Sequence, residues 1–398
     1  MNIKFLNHAS ILIDTEDYQI LVDPWFSGRI FNKSWSLLRD TDRSQIDFNK
    51  LKYVVVSHEH PDHFHIPTLK EISSKSSNKL KFIFPERENK NVQEFVEKNG
   101  MEYVQINEFI NEKLEENFQL TPVRQGDDSA LIFQIQGETV FHQNDAYLSD
   151  DKVKWIQENF PVIDYWFFQF SLAGFYGNRS NPSEIRKQGT EFHIDCFKKY
   201  QSLFAPKVSI PFASFVYFCK EHNDYINDFA VDLKELKLAC DDSFRVMFYG
   251  DEVSYKKPIS LEQSNDNIKK WNKCFQRETI ITPTAEISDE QILAAAEKSI
   301  KESQKQHYTW RPPPLICLDL YDDERLFVID YREGRWGFTE RAAVPHEIIA
   351  GILPREELHF FFNFPWGADT LNITGCFEIY NLNIWRALLT YKDALYIR

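Results

Sequence analysis

The amino-acid sequence predicts a mixed α/β (α+β) protein built from two units. Its 398 residues are too many for one ordinary hydrophobic core, so two units are the natural expectation. Residues 1–255 alternate between apolar β-branched runs and helical patterns, whereas the composition turns polar near residue 262. We therefore expect a larger domain over 1–255, a connecting segment over 256–284 and a smaller C-terminal α+β domain over 285–398.

Within the first unit, period-two patterns and β-branched residues predict the strands, and apolar residues at helical spacing predict the helices. The strands are expected at 3–6, 10–13, 19–23, 54–56, 81–84, 118–123, 130–135, 139–142, 207–211 and 245–249. The helices are expected at 67–74, 91–98, 150–158, 184–203 and 224–236. Pro67 suits the first turn of its helix, and Gly100 suits the end of the next one.

The second unit has a different pattern. A helix is expected at 289–305, a strand pair at 317–321 and 326–331, a short helix at 345–352, a strand at 369–377 and then a closing helix. We expect this unit to serve a structural or dimerising role, which leaves a homo-oligomer open.

A strand-like run, Val54–Val56, ends abruptly in a cluster of histidines and carboxylates. Pro61 stops further strand pairing, so the cluster is expected on a loop at the end of the strand. The loop offers four donors: His58, His60, Asp62 and His63. Neutral imidazoles and a carboxylate suit Zn(II), Fe(II) or Mn(II). We therefore predict a divalent metal site; the alternative is a solvated loop that is rich in histidine.

Composition excludes several other classes of function. The net charge of −14 argues against nonspecific nucleic-acid binding, which depends on Lys and Arg, but it leaves room for a small anionic substrate. No apolar run is long enough to span a bilayer, and the N-terminus shows no signal-peptide layout. The six scattered cysteines fit reduced thiols, so we expect a cytoplasmic protein.

The pattern His-x-His-x-Asp-His after an apolar strand resembles the metal-binding signature of the metallo-β-lactamase superfamily. The resemblance implies an αββα sandwich. It also covers the segments around Asn7–Ser10 and Leu21–Pro24, where it implies that Asp23 orients a metal-bound histidine. The alternative for Asp23 is a turn-forming aspartate before proline. His8 is expected to be a packed histidine or one at the pocket rim.

A two-metal site of this superfamily also needs another histidine, a bridging aspartate and a last histidine. The resemblance implies that Asp145 is the bridging ligand; the alternative is an exposed turn aspartate. It also implies that His222 is the last ligand; the alternative is a solvated loop histidine. Arg124 stands where the third histidine is expected, and a guanidinium cannot bind a metal ion. We hypothesise that the site binds one or two ions, that one of them is tightly bound, and that Arg124 supplies additional positive charge. The alternatives are that the missing donor is His142, Asp127 or Asp128.

The chain further resembles the CMP-N-acetylneuraminate hydroxylases and their bacterial relatives, over roughly residues 1–250. The matching segments are 23–28, 57–63 with 67–70, 170–178, and 211–215 with Glu221 and His222. That family pairs its metal domain with a Rieske iron–sulfur module, whose ligands are Cys-x-His and Cys-x-x-His. Cys219 and His222 have the second spacing, but no cysteine here has the first. We therefore expect no Rieske module.

Three functions remain. The first is a hydrolase in which Asp62 orients a metal-activated hydroxide, Arg124 holds a substrate anion and Tyr176 lines the pocket; an aromatic core strand is the alternative for the 165–178 segment. The second is a non-haem iron oxygenase fed by a separate electron-transfer protein. The third is a non-catalytic binding protein with a degenerate site. All three have a small-molecule ligand, and we favour the first.

Overall fold

The computed structural model describes residues 1–276, 280–305, 315–330 and 333–393. The strands of the first unit are β1 Asn2–Asn7, β2 Ser10–Asp14, β3 Gln19–Val22, β4 Arg29–Ile30, β5 Trp35–Leu37, β6 Leu51–Val55, β7 Lys81–Pro85, β8 Glu102–Ile106, β9 Glu112–Glu115, β10 Phe118–Gln125, β11 Asp128–Ile135, β12 Glu138–Asn144, β13 Tyr165–Gln169, β14 Val208–Phe212, β15 Val216–Phe218 and β16 Glu252–Val253. Its helices are α1 Ile66–Lys75, α2 Asn91–Lys98, α3 Asp150–Asn159, α4 Pro182–Ile185, α5 Phe192–Phe204, α6 Leu233–Ala239 and α7 Leu261–Phe275.

Two large sheets pack face to face. Among the described residues, one has the strand order β16-β1-β2-β3-β6-β7-β8 and the other the order β14-β13-β12-β11-β10-β9. Aromatic rings join their inner faces, since Phe118 lies 5.4 Å from Tyr53 between ring centroids. Helices cover both outer faces: Leu69 and Val96 pack on the first sheet, and Phe197 packs 4.8 Å from Trp166 on the second. The mixed α/β fold and its αββα layering are therefore confirmed.

Strand direction brings several chain segments to one edge of the sandwich. β3 and β6 run parallel, with Val22 opposite Val55, so both end at this edge. β2 runs antiparallel to β3, with Ile11 opposite Val22, so its start lies there too. The loops after β3 and β6, and the turn before β2, therefore meet at the same place.

The predicted connecting segment 256–284 contains a helix that belongs to the first core. Helix α7 buries Trp271, whose ring stacks 3.9 Å from that of Phe215, and its indole N–H donates to Met247 O at 2.7 Å. Asn267 donates to Val246 O at 2.8 Å. These side chains satisfy the backbone carbonyls of residues 245–249, where we had predicted a strand and the structure has none.

The second unit consists of α8 Asp289–Lys305, β17 Ile316–Leu320, β18 Asp323–Asp330, β19 Arg335–Glu340, β20 Ile349–Leu353, α9 Arg355–Asn363, α10 Gly367–Thr374, β21 Glu378–Ile379 and α11 Leu382–Asp393. In the described part of the chain its sheet has the order β19-β18-β17-β20-β21. A buried ion pair joins the two units: Lys220 Nζ lies 2.7 Å from Glu357 and 3.0 Å from Glu356.

Three further element predictions were wrong. Residues 345–352 are a short 3₁₀ turn followed by β20, which pairs in parallel with β17, so sheet pairing overrides the local helical pattern. Residues 367–374 are helix α10, which Gly375 ends in a left-handed conformation (φ 63°), although the β-branched residues had suggested a strand. The helix predicted at 224–236 splits into a 3₁₀ turn, Asp224–Phe229, and α6. Tyr331, at the end of a predicted strand, lies outside the described residues.

Within the described ranges, no helix combines the length and the apolar character needed to cross a membrane.

Candidate metal centre

Asp23 anchors the site from below. It follows β3 in a left-handed conformation (φ 42°), and its side chain is fully buried. Ser57 donates to it twice, from the backbone N–H to Oδ1 and from Oγ to Oδ2, both at 2.7 Å. Oδ2 also lies 3.0 Å from Nδ1 of His63 and accepts from Nδ2 of Asn144 at 3.1 Å. Asp23 therefore fixes the His63 ring with its Nε2 atom directed away from the carboxylate.

A first group of metal-ligand atoms comes from two loops and a hairpin. Donor atoms of His58, His60, Asp128 and Asp145 all lie within 4.8 Å of one another. His58 Nε2 is 2.9 Å from His60 Nδ1, 3.6 Å from Asp128 Oδ1 and 3.7 Å from Asp145 Oδ2. Two imidazoles and two carboxylates thus face one small volume.

A second group lies beside the first and is fully buried. It consists of His8, Asp62 and His63, again with donor atoms within 4.8 Å of one another. Asp62 Oδ2 is 3.1 Å from His63 Nε2 and 3.2 Å from His8 Nε2. Asp145 Oδ2 lies 3.4 Å from His63 Nε2, so this carboxylate touches both groups. An anionic ligand in that position offsets the repulsion between two cations.

Burial and mutual charge shift the pKa values of the cluster in opposite directions. Burial, followed by the charge of His63, lowers the pKa of His58 to about 3. Burial, followed by the charge of Asp145, raises the pKa of Asp128 to about 8. Burial opposes protonation of His63, but Asp62 and Asp145 raise its pKa well above the ordinary value. Burial also opposes ionisation of Asp145, yet His58 and His63 hold its pKa below the usual range. The clustered carboxylates therefore repel one another, and nearby positive charge favours their ionised form.

Several donor atoms of the cluster lack any hydrogen-bond partner among the described residues although they are buried. They are His8 Nδ1, Asp62 Oδ1 and Asp145 Oδ1. Buried polar atoms of this kind normally have a partner. Converging imidazole nitrogens and carboxylate oxygens are what Zn(II), Fe(II) and Mn(II) bind, so the residues present fit a divalent metal ion.

The structure brings five of the six predicted ligands together. His58, His60, Asp62, His63 and Asp145 meet at this edge, with Asp23 beneath them. His222 does not join them. Its ring stacks 4.1 Å from that of Tyr321 in the second unit, because the loop that carries it packs against that unit.

Sequence reasoning missed His8 as a candidate donor. The signal was present, since His8 lies in the turn between two strands whose antiparallel pairing places it at the edge where β6 ends. Asp128 was one of three alternatives for the missing donor. Of the other two, His142 is buried with its Nε2 3.3 Å from Ala9 O, and Asp127 is not in either group.

The two predicted substrate-binding residues lie in different surroundings. Arg124 is half-buried on β10, and its backbone N–H donates to Glu108 Oε1 at 2.9 Å. The Tyr176 hydroxyl lies 3.4 Å from His193 Nε2, and burial raises the pKa of Tyr176 to about 12. A hydroxyl with that pKa stays protonated at neutral pH and can donate a hydrogen bond.

The second unit reaches the rim of the cluster. The Phe31 ring lies 6.4 Å from that of His60 and 4.9 Å from that of Trp35. The indole N–H of Trp35 donates to Ile373 O of helix α10 at 3.2 Å. Burial, followed by the charge of Asp127, raises the pKa of Asp369 on the same helix. Helix α10 therefore forms part of the wall near His60.

Comparison with protein families agrees with this geometry. Residues 2–159 match the model of the β-lactamase superfamily domain, and this range includes every donor of both groups. Residues 2–159 are a β-lactamase superfamily domain. The matched range ends at the last residue of α3, so the superfamily domain includes both β6 and β12, whose ends carry the cluster.

Part of the chain is also similar in sequence to a hydroxylase. The chain is 24% identical over 154 residues to the cytidine monophosphate-N-acetylneuraminic acid hydroxylase of Danio rerio, a match that covers 37% of this chain and 26% of that protein. The chain thus spans about a quarter of the relative it matches.

Two solved structures show the same kind of similarity at lower identity. CmlA, a diiron β-hydroxylase from Streptomyces venezuelae, gives a TM-score of 0.41 at 11% identity, over 68% of this chain and 51% of that one. The metallo-β-lactamase fold protein YhfI of Bacillus subtilis gives a TM-score of 0.44 at 15% identity, over 64% of this chain and 99% of that one.

Proposed function

We propose that this chain is a metal-dependent hydrolase that acts on a small anionic substrate. The observation that carries the proposal is the pair of adjacent donor groups that share Asp145. Buried carboxylate oxygens normally have a hydrogen-bond partner, yet Asp62 Oδ1 and Asp145 Oδ1 have none among the described residues.

In this proposal the two groups hold up to two divalent ions, with zinc, iron or manganese as the candidates. His58, His60 and Asp128 would hold one ion, and His8, Asp62 and His63 would hold the other, with Asp145 close to both groups. A bound divalent ion lowers the pKa of its water ligand and polarises the scissile carbonyl or phosphoryl bond. Asp128 takes the role for which the superfamily pattern led us to expect a histidine, which adds a hard oxygen donor to the first position.

The chain's own residues supply positioning and substrate binding. Oδ2 of Asp62 faces His8 and His63, while its Oδ1 is buried without a partner among the described residues and is free to accept a hydrogen bond that orients the attacking water. Asp23 keeps the His63 ring oriented through Nδ1. Arg124 binds the substrate anion, and Tyr176 belongs to the aromatic wall of the pocket.

A second candidate is a non-haem iron oxygenase that receives electrons from a separate protein. The similarity to a cytidine monophosphate-N-acetylneuraminic acid hydroxylase supports it. This candidate requires iron, and it predicts oxygen consumption only when a reductant is present. The hydrolase requires neither oxygen nor a reductant.

One set of variants tests both candidates. Protein purified without added metal is analysed for zinc, iron and manganese, and is then assayed with a panel of phosphate esters and lactones, and separately for oxygen uptake with a reductant. Asp145→Asn should remove metal and activity together, while His346→Ala, which changes a histidine of the second unit, should alter neither. Oxygen uptake that needs iron and a reductant, without hydrolysis, contradicts the hydrolase. Tight ligand binding that survives His60→Ala without any turnover contradicts both enzymes and favours a binding protein.

A further inference from the structure

We infer that Arg87 and Arg124 form a subsite for a phosphoryl group of the substrate, beside the candidate metal centre. This inference rests on the proposed function and deepens it, because it names the chemical class that the substrate carries.

The backbone of Arg124 is held by hydrogen bonds, whereas its side chain is available to bind a ligand. It lies on β10 opposite Ser129, one position from the Gln125–Asp128 pair that closes the hairpin. Glu108 accepts from its N–H, and Lys152 donates to its carbonyl. Among the described residues its guanidinium makes no hydrogen bond or ion pair, and Nε is buried without a partner. A half-buried guanidinium without partners can donate its hydrogen bonds to a bound ligand.

Arg87 approaches the same hairpin from the other sheet. It follows β7, and its Nη2 donates to Asp127 O at 2.6 Å and to Ser129 Oγ at 3.1 Å. These two bonds hold the arginine next to the strand pair that carries Arg124 and the donor Asp128. Burial, followed by the positive charge of Arg124, lowers the pKa of Arg87, while the charges of Glu59, Asp127 and Asp128 oppose this shift.

The charge and shape of this pair indicate its ligand. Arg124 lies opposite Ser129, and Arg87 donates to Ser129 Oγ, so both arginines lie at the same face of the hairpin. An anion that contacts both guanidiniums would offset the repulsion between them. One arginine is enough for a carboxylate, which it binds through a single two-pronged contact. Two neighbouring arginines suit a tetrahedral group that carries more negative charge and offers oxygens in several directions, as a phosphoryl group does. Because Asp128 lies on the same hairpin, such a group would hold the substrate beside the first donor group.

The test measures binding of inorganic phosphate and of acetate to the metal-loaded protein by calorimetry. Arg87→Gln and Arg124→Gln are compared with the wild type and with Arg335→Gln, which changes an exposed arginine of the second unit. Metal content and circular dichroism are recorded for each preparation. Arg124→Lys is added because it keeps the charge but loses the planar two-pronged contact, so it should weaken binding less than Arg124→Gln.

We expect phosphate to bind at least about tenfold more weakly to each glutamine variant, with unchanged metal content, and Arg335→Gln to behave like the wild type. Unchanged phosphate affinity in both glutamine variants overturns the subsite, and acetate binding as tight as phosphate overturns the phosphoryl class. A wild type that takes up no metal contradicts the proposed function instead, and in that case phosphate titration of the same variants still decides the arginine subsite.

Discussion

Nε2 of His8 lies 3.2 Å from Oδ2 of Asp62, in a pocket where both side chains are almost completely buried. This contact places a histidine from the turn before β2 next to the motif loop after β6. It gives the second donor group its third member. The expected last ligand, His222, instead packs on Tyr321.

The first prediction compares these two histidines. His8→Ala should lower the metal content of the purified protein and weaken metal binding at one position, because it removes a donor that faces Asp62 and His63. His222→Ala should leave the metal content unchanged. Metal analysis of both variants beside the wild type checks this. Loss of metal from His222→Ala alone would restore His222 as the ligand and exclude His8.

A second prediction concerns Asp23. Asp23→Asn keeps the shape of the side chain but removes the charge that faces His63 Nδ1 at 3.0 Å. Metal affinity should fall by about 10–100-fold, as it does when such orienting partners are lost. Competition with a chelator of known affinity measures the change. Asp14→Asn, at a surface ion pair with Lys50, is the matched control and should have no effect.

The third prediction follows from the raised pKa of Asp128, about 8 against an ordinary value of 3.8. Because the folded-state pKa is the higher one, the contribution of this carboxyl to stability is fully present below about pH 4 and is lost as pH rises through about 8. In chelator-treated protein, Asp128→Asn should therefore raise the free energy of unfolding at about pH 9 by roughly 1–3 kcal/mol, with little change at about pH 4.

Urea unfolding at both pH values measures this difference. With zinc or manganese at saturating concentration the sign should reverse, because Asp128 then acts as a donor and its loss weakens binding to the folded state. A substitution that destabilises the chelator-treated protein at high pH would mean that Asp128 is held by a partner other than a metal ion.

A fourth prediction addresses the contact between the two units. The side chain of Lys220 is 3% exposed and is paired with Glu356 and Glu357. Lys220→Met should destabilise the protein by about 3–5 kcal/mol, because it leaves buried carboxylates without a counter-charge. Lys301→Met, which breaks an exposed helix pair with Glu297, should cost under about 0.5 kcal/mol. Equal effects of the two substitutions would show that the buried pair does not hold the units together.

The sequence predicted what depends on local pattern. The strand predicted at 54–56 overlaps the end of β6. The ligand motif after it and the position of Asp145 after β12 also follow from short-range signals, and helix α2 matches its predicted bounds. His8 was not assigned as a donor, and Asp128 was only one of three alternatives, because their approach to the motif loop depends on packing between distant segments. The second unit shows the same limit: parallel pairing with β17 turns residues 349–353 into a strand, although their local pattern favoured a helix.

The central claim is that Asp145 joins two groups of donors around a shared pair of cations. Metal analysis of wild type and Asp145→Asn, each purified without added metal and then titrated with zinc, iron or manganese, tests it most directly. We predict up to two ions per wild-type chain and a marked loss of both in the variant. A wild type that binds no ion, or a variant that binds as many ions as tightly as the wild type, would contradict the claim.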